Sequence, residues 1–201
     1  MFTFLTKLKI RLYDWAVARA GSKYATRWLS AFSFSEASFF PIPPDILLIA
    51  ILVFQQTRKW AYYAFITTIW SVLGGMFGYL IGLLFFDTVG KFLIDLYHLE
   101  EHVSVIKNLF NDNAFLAIFM AGFTPIPYKI FTISAGFFGV NFFIFVIASL
   151  LSRGLRFFAV GYIMKVFGKE IGIFMFKYFN MITIAFAVAL VLFLVFINAP
   201  F

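Results

Sequence analysis

Five ionisable side chains stand in stretches that are otherwise apolar: Glu36, Asp45, Lys129, Arg153 and Arg156. Within a bilayer each would cost about 2.5 to 3.5 kcal/mol on insertion scales, so together they need an explanation. Arg forks hold phosphate in bidentate fashion and Lys serves as a point charge, so Lys129, Arg153 and Arg156 are candidate ligands of an anionic group such as phosphate. A carboxylate in low dielectric favours its neutral form, which makes Glu36 and Asp45 candidates for loading and releasing a proton, or for gating. The structural alternative is that the two acids pair with two of the cations and lock their segments together. That accounts for four charges and leaves one positive.

A rival constellation is His98-Leu99-Glu100-Glu101-His102, which fits H-x-x-E-H, a pattern in which two His on one helical face hold zinc and a Glu acts as base. A third ligand would have to come from Asp112 or the distant Glu170. The pentapeptide lies in the most charged part of the chain, where a solvated or interfacial helix explains it without metal. Zero Cys excludes disulfides, thiolate metal sites and a Cys nucleophile. No other nucleophile has a convincing base partner, so the expectation is no metal, no cofactor and no enzymatic activity.

The elements that position these residues follow from composition. Of 201 residues 63% are hydrophobic and 12% charged, with mean hydropathy +0.97. A soluble domain is about half apolar and a quarter charged. A globule this apolar could not cover its own exterior with polar groups, so a bilayer must cover it. A helical crossing needs about 20 apolar residues. Trp60 to Phe86, Ile130 to Ser152 and Met181 to Phe201 each carry no charge over such a length. Residues 30–57 and 113–140 are apolar too, but Pro41, Pro43 and Pro44 interrupt the first, and Pro125 and Pro127 the second. Proline lacks an N–H and disfavours a helical residue before it, so each stretch reads as two half-helices meeting at a break. Broken backbone at membrane depth is tolerated where it is buried in protein or lines a wet cavity.

Charge distribution orients the chain. Residues 3–29 read as a basic amphipathic helix on an anionic leaflet rather than a removable export signal. If residues 30–57 dip in and return, Lys7, Lys9, Arg11, Arg19, Lys23, Arg27, Arg58, Lys59, Lys165, Lys169 and Lys177 share one side, which the positive-inside rule makes cytoplasmic. The opposite side holds Lys91 and Lys107 against Asp87, Asp95, Glu100, Glu101 and Asp112. The net charge of +7 is thus sorted by membrane side, with no nucleic-acid partner implied.

Pro41-Ile42-Pro43 recurs as Pro125-Ile126-Pro127, and Gly78-Tyr79 as Gly161-Tyr162. Both halves read as broken segment, crossing, Gly-Tyr, and enter from opposite sides. Inverted repeats with discontinuous helices are a signature of secondary transporters, whose sites lie near the midplane. Gly74, Gly78 and Gly82 form a small-residue stripe that lets another helix approach closely.

These residues resemble a known family. Glu36-Ala-Ser-Phe-Phe-Pro41-Ile-Pro-Pro-Asp45, Gly74-Gly-Met-Phe-Gly78-Tyr79-Leu-Ile-Gly82, and Phe123-Thr-Pro125-Ile-Pro127-Tyr-Lys129 through Ala135-Gly136 are similar, in order, to the motifs of the DedA superfamily. That family is also known as VTT or SNARE-associated Golgi proteins. The resemblance implies two opposed re-entrant helical hairpins and the movement of lipids between leaflets, either phospholipid or undecaprenyl phosphate. Gly122 and Tyr128-Lys129 stand where the family motif expects Arg, which looks like the YqaA-like branch. Arg153 and Arg156 are then the residues to supply the guanidinium charge, with Tyr128 beside them in the binding set.

The expected architecture is all-α and polytopic. It comprises an interfacial helix 1–29 and a membrane domain 30–169, with hairpin 30–57, crossing 60–86, extracytoplasmic amphipathic segment 87–112, hairpin 113–140 and crossing 141–164, followed by a C-terminal crossing 181–201. The expected function is flippase- or scramblase-like transport of an anionic lipid in the inner membrane, coupled to protons, with the N-terminus cytoplasmic and a homo-oligomer left open. The alternative is a structural or assembly protein whose charges only hold the hairpins together.

Overall fold

The computed structural model describes residues 20–39, 43–54, 57–91, 96, 107–108, 110, 112–124 and 127–168. Six helices order these residues. They are α1 (Ala25–Ser38), α2 (Pro44–Phe54), α3 (Trp60–Phe85), α4 (Ala114–Phe123), α5 (Tyr128–Phe137) and α6 (Phe142–Gly168). A 3₁₀ turn at Thr57–Lys59 leads into α3, and a π-helical turn at Phe86–Gly90 follows it. No strand occurs among the described residues. The sequence short helix, proline link, short helix, long helix therefore occurs twice.

Length separates these helices into two kinds. α3 has 26 residues and α6 has 27, so at about 1.5 Å per residue each exceeds the roughly 30 Å of hydrocarbon. α1, α2, α4 and α5 have 14, 11, 10 and 10 residues, and none is long enough to cross alone.

Local chemistry sets the ends. Pro44 opens α2 at the first helical position, where its missing N–H is no loss, and Asp45 follows in the first turn, where the dipole favours an acid. Pro127 caps α5. The stretch Ile130 to Ser152, uncharged and long enough to cross, is two helices. At the end of α5 the Val140 amide donates to Ala135 O at 2.9 Å and the Gly139 amide to Gly136 O at 3.1 Å, with Gly139 at φ 66°. Such a left-handed C-terminal cap ends a helix whatever the hydropathy beyond it. Asn141 then starts α6, its Oδ1 accepting from the amides of Phe143 at 2.9 Å and Ile144 at 3.2 Å. Gly139→Ala is expected to destabilise the fold by about 1 to 2 kcal/mol through the left-handed conformation alone, since the space there is open. Thermal unfolding in micelles measures it, and an unchanged melting temperature rejects this account of the turn.

α3 is the central post. Its glycine stripe receives α1 and α5: a Cβ on Gly74 would strike the Phe34 carbonyl, one on Gly78 would lie 2.5 Å from Thr132 Oγ1, and one on Gly82 would strike the Ile133 carbonyl. Ser38 Oγ donates to Gly74 O at 2.9 Å, and Thr132 Oγ1 to Ala37 O at 3.2 Å, tying α1, α3 and α5 together. Outward, Tyr62, Phe65, Leu73, Phe77, Leu80 and Leu84 of α3, and Phe143, Ile147, Leu151, Leu155, Tyr162 and Val166 of α6, form exposed apolar stripes at helical spacing. An apolar exterior, with the charged and hydroxyl groups Asp45, Arg153, Ser71 and Thr132 kept inside, matches lipid as the surrounding solvent.

Several expectations meet a different arrangement or fall elsewhere. The boundary drawn between residues 29 and 30 falls inside α1, which runs from Ala25 to Ser38. The two Gly-Tyr pairs are not equivalent: Tyr79 is buried and donates to Val140 O at 2.6 Å, whereas Tyr162 is 55% exposed against Trp60. Residues 3–19 of the amphipathic helix, Pro41, Pro125, the His98 to His102 pattern, most of segment 87–112 and the crossing 181–201 lie outside the described residues.

Candidate functional site

α6 carries Arg153 and Arg156 one turn apart on its buried face, in register with Phe145, Ala148, Ser149, Ser152, Phe157 and Met164, all at 0% exposure. Residues three and four apart on a helix share a face, so both guanidinium groups point into the protein rather than the lipid. There they meet the two acids of the first half.

Arg153 is 1% exposed and gathers four helices. Its Nη2 pairs with Glu36 Oε2, from the last turn of α1, and its Nε donates to Ser71 Oγ of α3 at 2.7 Å. Its guanidinium carbon sits 4.8 Å from the ring centroids of both Tyr128, the first residue of α5, and Phe157 of α6 itself. Two rings at this distance help to desolvate the cation and supply cation–π attraction in return. Tyr128 is fully buried, and its hydroxyl donates to Ser149 Oγ at 2.5 Å.

Arg156 joins the other break. Its Nη2 and Nε donate to the two Asp45 oxygens at 2.7 and 3.2 Å, a bidentate fork, and its Nη1 donates to the Thr124 carbonyl at 2.6 Å. Asp45 is 3% exposed and Arg156 14%, so this pair is nearly closed to solvent. Charge-assisted, bidentate bonds of this kind are the strong ones in low dielectric.

Four of the five expected charges thus converge, as two adjacent pairs of zero net charge. Lys129 is half-buried at the start of α5, and among the described residues its ammonium takes part in no ion pair; its carbonyl accepts from Thr132 Oγ1 at 3.0 Å. It follows Tyr128 along a helix, so consecutive residues project in different directions. Pro43, Pro44 and Pro127 lie beside the pairs at the starts of α2 and α5, and Gly74, Gly78 and Gly82 lie on the packing face of α3. Among the described residues no three of His, Asp or Glu gather to hold a metal ion.

Ser71, Thr124, Ser149 and Phe157 complete the site and were not singled out from sequence. A signal existed for Ser71: Thr67, Ser71, Gly74, Gly78 and Gly82 repeat at three or four residues along α3, marking a small and polar face. Gly122 explains the displaced guanidinium. A Cβ there would strike Ser152 Oγ and lie 3.5 Å from Arg153 Cδ, so the space beside α4 is filled by an arginine arriving from α6.

Two helices long and apolar enough to span, short proline-split helices that cannot, and charges paired inside them define a helical membrane protein. The chain belongs to the VTT-domain family, the DedA superfamily domain, whose family model matches residues 42–166. It is 40% identical over 149 residues to an uncharacterized protein of Haemophilus influenzae, covering 74% of this chain and 77% of that protein. It is 36% identical over 161 residues to an uncharacterized protein of Histophilus somni, covering 79% and 82%. No solved structure matches.

Proposed function

We propose that the protein is a flippase- or scramblase-like transporter, not an enzyme, that moves an anionic lipid between the leaflets of the inner membrane. Phospholipid and polyprenyl phosphate are the two cargo classes. In this reading α1–α2 and α4–α5 are re-entrant hairpins that enter from opposite faces as an inverted repeat, with the N-terminus cytoplasmic. Support comes from four helices too short to cross, each pair split at proline, in an element order that repeats.

The observation that carries the reading is the pairing of both arginines with both acids beside the proline breaks. A carboxylate and a phosphate present similar oxygens to a guanidinium fork, so an arriving head group competes with Glu36 and Asp45. Protonation of either acid would release its arginine for phosphate, which links proton loading to cargo binding. Lys129 supplies the cation that no acid cancels, and Tyr128 keeps Arg153 oriented.

The same pairing favours a second reading. Two buried ion pairs tying α1 and α2 to α6 suit a protein that transports nothing and serves in assembly. Vesicles carrying the purified full chain and a fluorescent anionic phospholipid separate the two. Transport predicts inter-leaflet movement above that of empty vesicles, lowered about tenfold or more by Arg156→Gln and made insensitive to a proton gradient by Asp45→Asn or Glu36→Gln. A wild-type rate equal to that of empty vesicles leaves the structural reading standing.

A further inference from the structure

Among the described residues each buried Ser or Thr has a hydrogen-bond partner save one. Ser33, Thr67 and Thr68 bond back to the carbonyls of Leu29, Tyr63 and Ala64, and Ser38, Ser71, Thr132, Ser149 and Ser152 bond within or across helices. Thr124 is 0% exposed, and its Oγ1 has no partner among the described residues. A buried polar atom left unmade is costly, about 1 to 3 kcal/mol, so its position calls for a reason.

Backbone geometry explains how it comes about. Thr124 ends α4 with its amide still donating to Met120 O at 2.9 Å, but at φ −83° and ψ 167° its own backbone is extended. A helical Thr can reach the carbonyl one turn back, and an extended one is carried away from it. Its carbonyl accepts Arg156 Nη1, so covalent geometry holds the unpaired hydroxyl close to the fork that Asp45 occupies.

The two arginines are unlike in this respect. Arg153 is 1% exposed, lies over two rings and is bonded to Ser71 as well as Glu36, so it is packed away from solvent. Arg156 keeps 14% exposure and makes its only side-chain pair with Asp45.

Resting on the anionic-lipid reading above, we infer that Thr124 is a specificity-determining residue: its Oγ1 hydroxyl donates to an oxygen of a phosphate ester seated on Arg156 in place of Asp45. This contact is made at Arg156 and does not involve the Arg153–Glu36 pair. The chemistry selects its ligand. A phosphate monoester presents two terminal oxygens to the fork and a third to the hydroxyl, whereas a carboxylate has two in all. Thr124 therefore favours phosphate over carboxylate lipids at a fork that would otherwise accept both.

The test compares wild type, Thr124→Val and Thr124→Ser as full chains in micelles, titrated with short-chain phosphatidic acid, inorganic phosphate and decanoate. Valine keeps the shape and removes the donor. Expected is a loss of about tenfold in phosphatidic acid affinity for Thr124→Val, with decanoate affinity unchanged and Thr124→Ser close to wild type. A parallel loss with inorganic phosphate marks free phosphate as a ligand too, while a loss confined to phosphatidic acid marks the lipid head group; both support the assignment. Equal phosphatidic acid affinity in wild type and Thr124→Val overturns this inference and leaves the transport reading intact. If wild type binds neither phosphate probe, both fall. The melting temperature of ligand-free Thr124→Val should match or exceed wild type, because an unpaired buried hydroxyl is removed; a clear drop means the hydroxyl has a structural partner, and overturns the assignment.

Discussion

Arg153→Leu is expected to destabilise the folded protein by about 3 to 5 kcal/mol, the cost of leaving a buried charge without its partner. Glu36 is 15% exposed, so residual solvation places the effect toward the lower end of that range. Ser71 Oγ loses its donor at the same time, and the Tyr128 and Phe157 rings lose the cation between them. Arg153→Lys does not rescue, because a single ammonium cannot reach Ser71 and Glu36 as a planar fork does, nor stack between two rings. Restoring neutrality should: Glu36→Gln combined with Arg153→Leu is expected to recover about half the loss, since no unpaired charge remains. Reversible unfolding in mixed micelles measures all four proteins. An Arg153→Leu variant within about 1 kcal/mol of wild type would show that Arg153 is no structural post.

Gly136→Val is expected to abolish folding into this architecture. A Cβ on Gly136 would strike the Tyr79 carbonyl, and one on Gly82 in the facing helix would strike the Ile133 carbonyl. Both obstacles are backbone, so no rotamer change relieves them and α5 must move off α3. Ordinary overpacking costs about 1 to 3 kcal/mol; displacing a helix adds the bonds that helix makes. Here those are Thr132 to Ala37 O and Tyr128 to Ser149, and the stacking of Tyr128 on Arg153 goes with them. Gly154→Ala is the control: its nearest neighbour would be Thr68 Cγ2 at 3.8 Å, so alanine should be neutral or add up to about 1 kcal/mol through helix propensity. The yield of monodisperse protein and its melting temperature report both. Folded, wild-type-like Gly136→Val would refute the close α3–α5 seam.

The second prediction rests on a feature readable along the chain, and the first on one that is not. Glycines at fourfold spacing announce that something packs closely against α3, because period and residue size are local properties. Which helices pack there, α1 at Gly74 and α5 at Gly82, is not local. The uncharged run from Ile130 to Ser152 is instructive in the same way. Hydropathy reports what surrounds a segment and says nothing of a left-handed cap within it, so hydropathy alone does not mark the turn at Gly139.

By itself the sequence determined the solvent, the helical class, the proline-bounded short helices and the identity of the charges that had to be reconciled with an apolar surrounding, since composition, period and proline geometry act over a few residues. Tertiary structure alone decided the partners. Glu36 and Arg153 lie 117 residues apart and Asp45 and Arg156 lie 111 apart, so who meets whom depends on how α1 and α2 lie against α6. It also decided that, among the described residues, Lys129 enters neither ion pair and Thr124 Oγ1 is left without a bond. Buried electrostatics depends on distances of a few ångströms between remote segments, and only the packed backbone sets those.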